Sequence, residues 1–361
     1  MAEINVDRMV KNFIELVKIP SESPDDQKFI EHLDGLFKKM GGETKKDSYG
    51  NLIVKFAAKN SKNTQAIAFT AHADTVKPGV GIEPVVKDGV ISSKGETILG
   101  ADDKAAVAEM IELIQTAEKH PPIELLILRC EEIGSLGSAN LDYSLVSSKD
   151  AYVMDMNQPD EIVVGGPTLM TLDVEYKGKP AHAGMAPEKG ISAILAASKA
   201  ISRLRLGKLD EESTANVGVI NGGQIRNGVP DKTTVLAECR CLKHEKALAM
   251  AQEMEKIFRE ASDEVGTEVK IETKVSLKAY LLDENSSAVK NAVAALKKNG
   301  VEPRIVVIRG GTDATSLNKN GIAAAALGVG FRDIHSCQET AIIAEMETIA
   351  KAMKTIVEDL A

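Results

Sequence analysis

The chain has no tryptophan, and aromatic residues make up only 3% of it. Stacked rings for gripping bases or sugars are therefore not part of its chemistry. An excess of basic residues is also missing. The net charge is −9, whereas phosphate backbones require a basic face, so nucleic acid is excluded as a partner. Cysteine is scarce: Cys130, Cys239, Cys241 and Cys337 are the full set, with no C-x-x-C pair. The opening MAEINVDRMV has no apolar signal core, which points to reduced thiols in the cytoplasm. No uninterrupted apolar run approaches the ~20 residues that span a bilayer. Neither a Walker string nor a G-x-G-x-x-G after a strand is found.

What remains is an ordinary globular composition, 43% hydrophobic and 27% charged over 361 residues, long enough for more than one domain. Apolar spacing predicts helices over Val6–Ile19 and Phe29–Met40, separated by a turn at Ser21–Asp26. Strands are expected at 51–57 and 65–71, a helix at 105–117, a buried parallel strand in the run 123–130, and a short strand at 151–154. This alternation predicts an α/β fold with a mostly parallel sheet sandwiched by helices. Beyond Gly165–Pro167 the pattern changes to one-sided alternation. Strand, helix, two strands, helix and strand follow up to Lys274, the order of an antiparallel α+β sandwich of ferredoxin-like type. Helix–strand alternation then resumes and closes with a helix over Glu339–Leu360. The expected domains are 1–166 with 280–361, and an inserted 167–279.

Ligands of open α/β sheets bind at the carboxyl ends of the strands. His72 and Asp74 follow one predicted strand and project from the same side of it. Glu131 and Glu132 follow a second, and Asp155 a third. Asp102 opens a helix within GADDK, and His335 lies in a loop before the last helix. Taken singly, each reads as a solvated turn residue or a helix cap. Together they form a His and carboxylate set of the kind that borderline divalent cations accept. A bridging carboxylate has one oxygen for each of two ions, and a further carboxylate can serve as general base.

The strings AHADTV (71–76), KGETILGADDKAAVAEM (94–110), CEEIGSLGS (130–138), VMD (153–155), KPAHAG (179–184), RGGTDAT (309–315) and DIHS (333–336) carry a resemblance. In this order, over nearly the whole chain, they are similar to the dinuclear zinc exopeptidases, and LGADDKA and RGGTDAT favour the peptidase T-like branch. The resemblance implies a phosphorylase/hydrolase-like catalytic domain and an inserted lid and dimerisation domain. It implies two divalent ions, Zn with Co or Mn as alternatives. His72 and Asp155 would complete one site, Glu132 and His335 the other, with Asp102 between them and a cis Asp102–Asp103 peptide. Asp74 would orient His72, and Glu131 would be the base. His182 would stabilise the oxyanion, and Asn227 and Arg309 would hold the substrate carboxylate. The implied activity is tripeptide aminopeptidase on short peptides, in a cytoplasmic homodimer. The alternatives are carboxypeptidase, dipeptidase or N-acyl-amino-acid deacylase chemistry on the same scaffold.

Overall fold

Four strands without a polar face build the centre of the larger sheet. Ile67–His72 and Ile123–Leu128 are buried at every position, Ala323–Gly328 at all but its first, and Asp150–Met156 over its central Ala151–Met154. Side chains on both faces of these strands must therefore be covered, as in a sheet between helices. The four pair in parallel: Ile67 lies opposite both Ile123 and Asp150, and Ala323 opposite Asp150. Antiparallel strands flank them, Leu52–Phe56 beside Ile123–Leu128 and Glu161–Gly166 beside Ala323–Gly328. The parallel set thus has all its carboxyl ends at one edge, and it is this edge that gathers the candidate site.

The computed structural model describes residues 3–361; the first two residues of the opening stretch read for a signal core lie outside it. The chain divides into two compact units. The larger runs to Val164 and resumes over Leu281–Val307 and Thr312–Ala361. Its central helix, Ala101–Thr116, is buried on almost every side, which removes the usual polar stripe. Phe69 and Tyr152, both fully buried with ring centroids 5.4 Å apart, fill the sheet face. Truncating a Phe in such a place costs about 3–5 kcal/mol. Among the described residues no helix is long and apolar enough to cross a membrane.

The smaller unit comprises Gly165–Tyr280 and Ile308–Gly311; the latter stretch holds Arg309, which the sequence had grouped with the larger domain. Its antiparallel sheet runs Gly207–Lys208, Ser213–Gly222, Lys232–Cys241, Thr168–Lys177, Glu268–Leu277. Met170, Leu172, Val174 and Tyr176 point into its core while Asp173 and Lys177 are exposed, the one-sided alternation expected of such a strand. Helices Ala193–Arg203 and His244–Val265 cover that core.

One expectation fails. Residues Thr340–Ile342 are not helical; they form a strand against Val90–Ser92, and the final helix begins at Ile343. Thr340 and Ile342 are β-branched and fit a paired strand. This strand belongs to a small antiparallel sheet ordered Phe331–Arg332, Thr340–Ile342, Val90–Ser93, Pro84–Lys87. Its hairpin turns on Asp88 and Gly89, φ 50° and 79°, the two left-handed positions of a type I′ turn. The Ser21–Asp26 turn does precede a helix. Asp26 stands at its N-cap yet makes no cap bond; its carboxylate pairs with Arg129 at 2.5 Å instead.

Within the central helix Glu109 is fully buried, and neither carboxyl oxygen has a hydrogen-bonding partner. Burial, reinforced by Asp103, raises its pKa well above the ordinary value. A raised carboxyl means that the folded state binds the extra proton. Its contribution to stability is therefore complete below the unfolded pKa near ~4.3 and is lost as pH rises toward the folded value. Glu109→Gln should flatten that loss: between pH 5 and pH 8 its thermal midpoint should fall less than that of the parent. Parallel pH profiles in calorimetry would contradict this.

Candidate metal centre

The site is assembled from the sheet edge inward. His72 ends its strand and is 2% exposed. Its Nδ1–H donates to the Asp74 main-chain oxygen at 2.8 Å, so Nε2 is the nitrogen turned toward the cluster. Nε2 lies 3.0 Å from Asp102 Oδ1 and 3.8 Å from Asp155 Oδ1. On the other side, His335 Nε2 lies 3.5 Å from Asp102 Oδ2 and 2.9 Å from Glu132 Oε2. Two triads result, His72 with Asp155 and His335 with Glu132, and Asp102 offers one oxygen to each. One nitrogen or oxygen each from His72, Asp102 and Glu132 lie within 4.8 Å of one another.

Local backbone explains these directions. The Asp102–Asp103 peptide is cis, and both residues depart from helical φ/ψ inside the helix that starts at Ala101. Cys130, just before the Glu pair, and His335 both adopt left-handed φ, 55° and 60°, sparsely populated values for residues with a Cβ. Gly137 closes the turn behind the Glu pair. A Cβ there would meet Arg129 O at 2.3 Å, so only glycine allows the approach.

Asp74 faces His72 and also supports the Glu131–Glu132 turn. Its carboxylate is 3.6 Å from His72 Nδ1, and the closer bond comes from its own main chain. The fully buried carboxylate also accepts the N–H groups of Glu131 at 2.8 Å and Glu132 at 3.2 Å, with the Ser23 hydroxyl as a third donor. His72 first, then Ser23 and the Glu131 N–H, hold its pKa below the usual carboxylate range despite burial.

Charge in the pocket is strongly imbalanced. Burial, then Asp102, pushes the Asp155 carboxyl well above its ordinary pKa. Burial, then Asp313, pushes Glu131 to about 8. His335 is raised to about 10 by its bonds to Asp102 and Glu132. Among the described residues no Lys or Arg forms an ion pair with Asp102, Glu132 or Asp155. Glu132 Oε1 is buried without a partner, a costly state for a carboxylate. Imidazoles and carboxylates around an unpaired buried oxygen suit divalent cations of the zinc class. Glu131 is set apart from the triads, with Ser135 Oγ donating to its Oε1 at 2.8 Å. Asp313, buried beside this region and raised to about 6 by burial, was not singled out from the sequence, although it lies in the RGGTDAT string. Ser23 was also missed, and no local pattern marks it.

The remaining candidates lie in the smaller unit. His182 Nδ1 accepts the N–H groups of Gly184 and Met185, each at 3.2 Å, which leaves the proton on Nε2 as a donor. His182 and Asn227 line one pocket, and Ala183 N–H donates to the Asn227 main-chain oxygen at 2.9 Å. Arg309 donates through Nε and Nη2 to the Glu211 main-chain oxygen, and its own main-chain oxygen accepts from Arg240 at 3.3 Å.

Comparison with known proteins gives two matching family models, Peptidase family M28 over residues 51–197 and the Peptidase dimerisation domain over residues 165–265. The chain is 38% identical to the uncharacterized protein YqjE of Bacillus subtilis, across 99% of this chain and 100% of that one. It is similar to the crystal structure of aminopeptidase PepT from Bacillus cereus, at 37% identity and TM-score 0.89, with 99% of each chain covered. It is also similar to that of a tripeptidase from Staphylococcus aureus, at 32% identity and TM-score 0.93, with 99% of each covered.

Replacing Asp74 by Ala would strand the main-chain N–H groups of Glu131 and Glu132. Divalent-metal affinity, measured by titration calorimetry, should fall about 10- to 100-fold. An unchanged affinity would mean that the Glu131–Glu132 turn holds its shape unaided.

Proposed function

The chain belongs to the peptidase T-like family of zinc exopeptidases, and from that membership we propose that this peptidase is a cytoplasmic, homodimeric tripeptide aminopeptidase working with two divalent ions. The observation that carries the reading is the pair of triads sharing Asp102, one carboxylate oxygen to each. His72 and Asp155 would hold one ion, Glu132 and His335 the other. Two bound divalent ions supply Lewis acidity, lowering the pKa of water and polarising the scissile carbonyl.

The rest of the chemistry falls to side chains. Glu131, outside both triads, takes the proton from the attacking water and returns it to the leaving amine. Asp74 keeps Glu131 and Glu132 in register through their main-chain N–H groups. His182, with Nδ1 already used as an acceptor, presents Nε2–H to the oxyanion of the tetrahedral intermediate. Asn227 and Arg309 bind the substrate carboxylate; the guanidinium exchanges the Glu211 carbonyl for a bidentate partner of full charge. The unit containing these three residues acts as the lid and dimerisation domain, a reading supported by the dimerisation-domain match over 165–265.

Two measurements test the proposal. Tripeptides should lose their N-terminal residue in a chelator-sensitive reaction. C-terminal release or cleavage of acyl amino acids would instead favour the carboxypeptidase or deacylase alternatives. Glu131→Gln should keep its metals by elemental analysis while turnover falls by about 10³-fold or more, the scale on which a proton-transfer group acts together with its site. Turnover at the parent rate would remove Glu131 from the role of base.

A further inference from the structure

Glu339 lies four residues after His335, in the loop that joins Phe331–Arg332 to Thr340–Ile342. It is 1% exposed. Its Oε2 accepts the N–H groups of Leu99 at 2.8 Å and Gly100 at 2.7 Å, and its Oε1 accepts that of Asp102 at 2.9 Å. A helix start leaves main-chain donors without partners. Here the N-cap position is Gly100, at φ 71° and with no side chain to supply an acceptor. A carboxylate from a distant loop takes the place of the missing cap.

The pairing of Thr340–Ile342 with Val90–Ser92 brings that carboxylate to the start of the helix. On the other flank Lys104 is completely buried, with Nζ donating to Ile19 O at 2.6 Å over the Phe29 ring. The segment from Leu99 to Lys104 is thus gripped from two sides, and one grip comes from the loop that carries His335.

We propose that Glu339 is a positioning residue that fixes the Asp102 carboxylate relative to His335 and so sets the geometry of the two-cation cage. It touches neither substrate nor ion. It acts through the main chain of Asp102, while its own position four residues from His335 ties the two loops together. The inference rests on the reading of Asp102 and His335 as metal ligands.

Co(II) titration of the full chain tests it, followed by visible absorption and by metal content after gel filtration. Glu339→Gln keeps the length of the side chain but turns an amide NH2 toward main-chain donors. It should weaken Co(II) binding at least about 10-fold and alter the d–d bands, with circular dichroism unchanged. Glu339→Asp, which keeps the charge, should give an intermediate affinity, and it serves if the Gln variant does not fold. Parental affinity and bands in the folded Gln variant, or in the Asp variant standing in for it, would overturn the proposal, even if the thermal midpoint dropped. His335→Ala separates the two levels. If it binds Co(II) as the parent does, the cage reading falls and this inference with it. If it loses Co(II) while Glu339→Gln does not, only the role of Glu339 is lost.

Discussion

The structure depends on one electrostatic constraint: several carboxylates converge in a pocket from which water is largely excluded. Asp102, Asp103 and Asp313 are buried, and Asp155 is raised in pKa by its neighbours. Like charges a few ångströms apart in a poorly polarisable medium cannot all remain ionised unless cations, donors or protons compensate them. Each surrounding feature is a form of compensation. The two histidines face Asp102, Ser23 and two main-chain N–H groups face Asp74, and three more main-chain N–H groups face Glu339. The donors directed at Asp74 and Glu339 fix the backbone, whereas the inward oxygens of Asp102, Glu132 and Asp155 have few protein partners. Rigid outside and electrostatically unfinished inside is the arrangement that suits a cation pair.

Much of this was legible in the sequence because physics writes it locally. The run IELLILRC reads as a doubly covered strand, and the alternation of Met170, Leu172, Val174 and Tyr176 as a one-sided strand. The small sheet was overlooked, although its Asp88-Gly89 turn between Val85-Val86 and Val90-Ile91 is a hairpin signal visible in the chain. The residues Thr340–Ile342 continue smoothly into the apolar period of the final helix, and only their pairing with Val90–Ser92 separates strand from helix.

The candidate ligands share a further property: their residue types and their places at strand ends announce them. Supporting residues have no such signature. Ser23 and Glu339 gain their positions from long-range pairing, Ser23 with Thr75 and Glu339 through the strand after it, and their own neighbours in the chain do not indicate what they face. Asp74 shows the limit from the other side. Its spacing places it beside His72, but its further donors are carried on a loop more than fifty residues away, where no local pattern points.

The strand Ala323–Gly328 lies between Asp150–Met156 and Glu161–Gly166, so a late segment of the chain is threaded between two strands made long before it. During synthesis the earlier strands can pair with one another, but the sheet cannot close until more than three hundred residues have left the ribosome. Until then an apolar slot stays open, the kind of transiently exposed surface that invites aggregation or chaperone capture. His335 emerges only after that strand. Four of the five candidate ligands are therefore synthesised long before the fifth, His335.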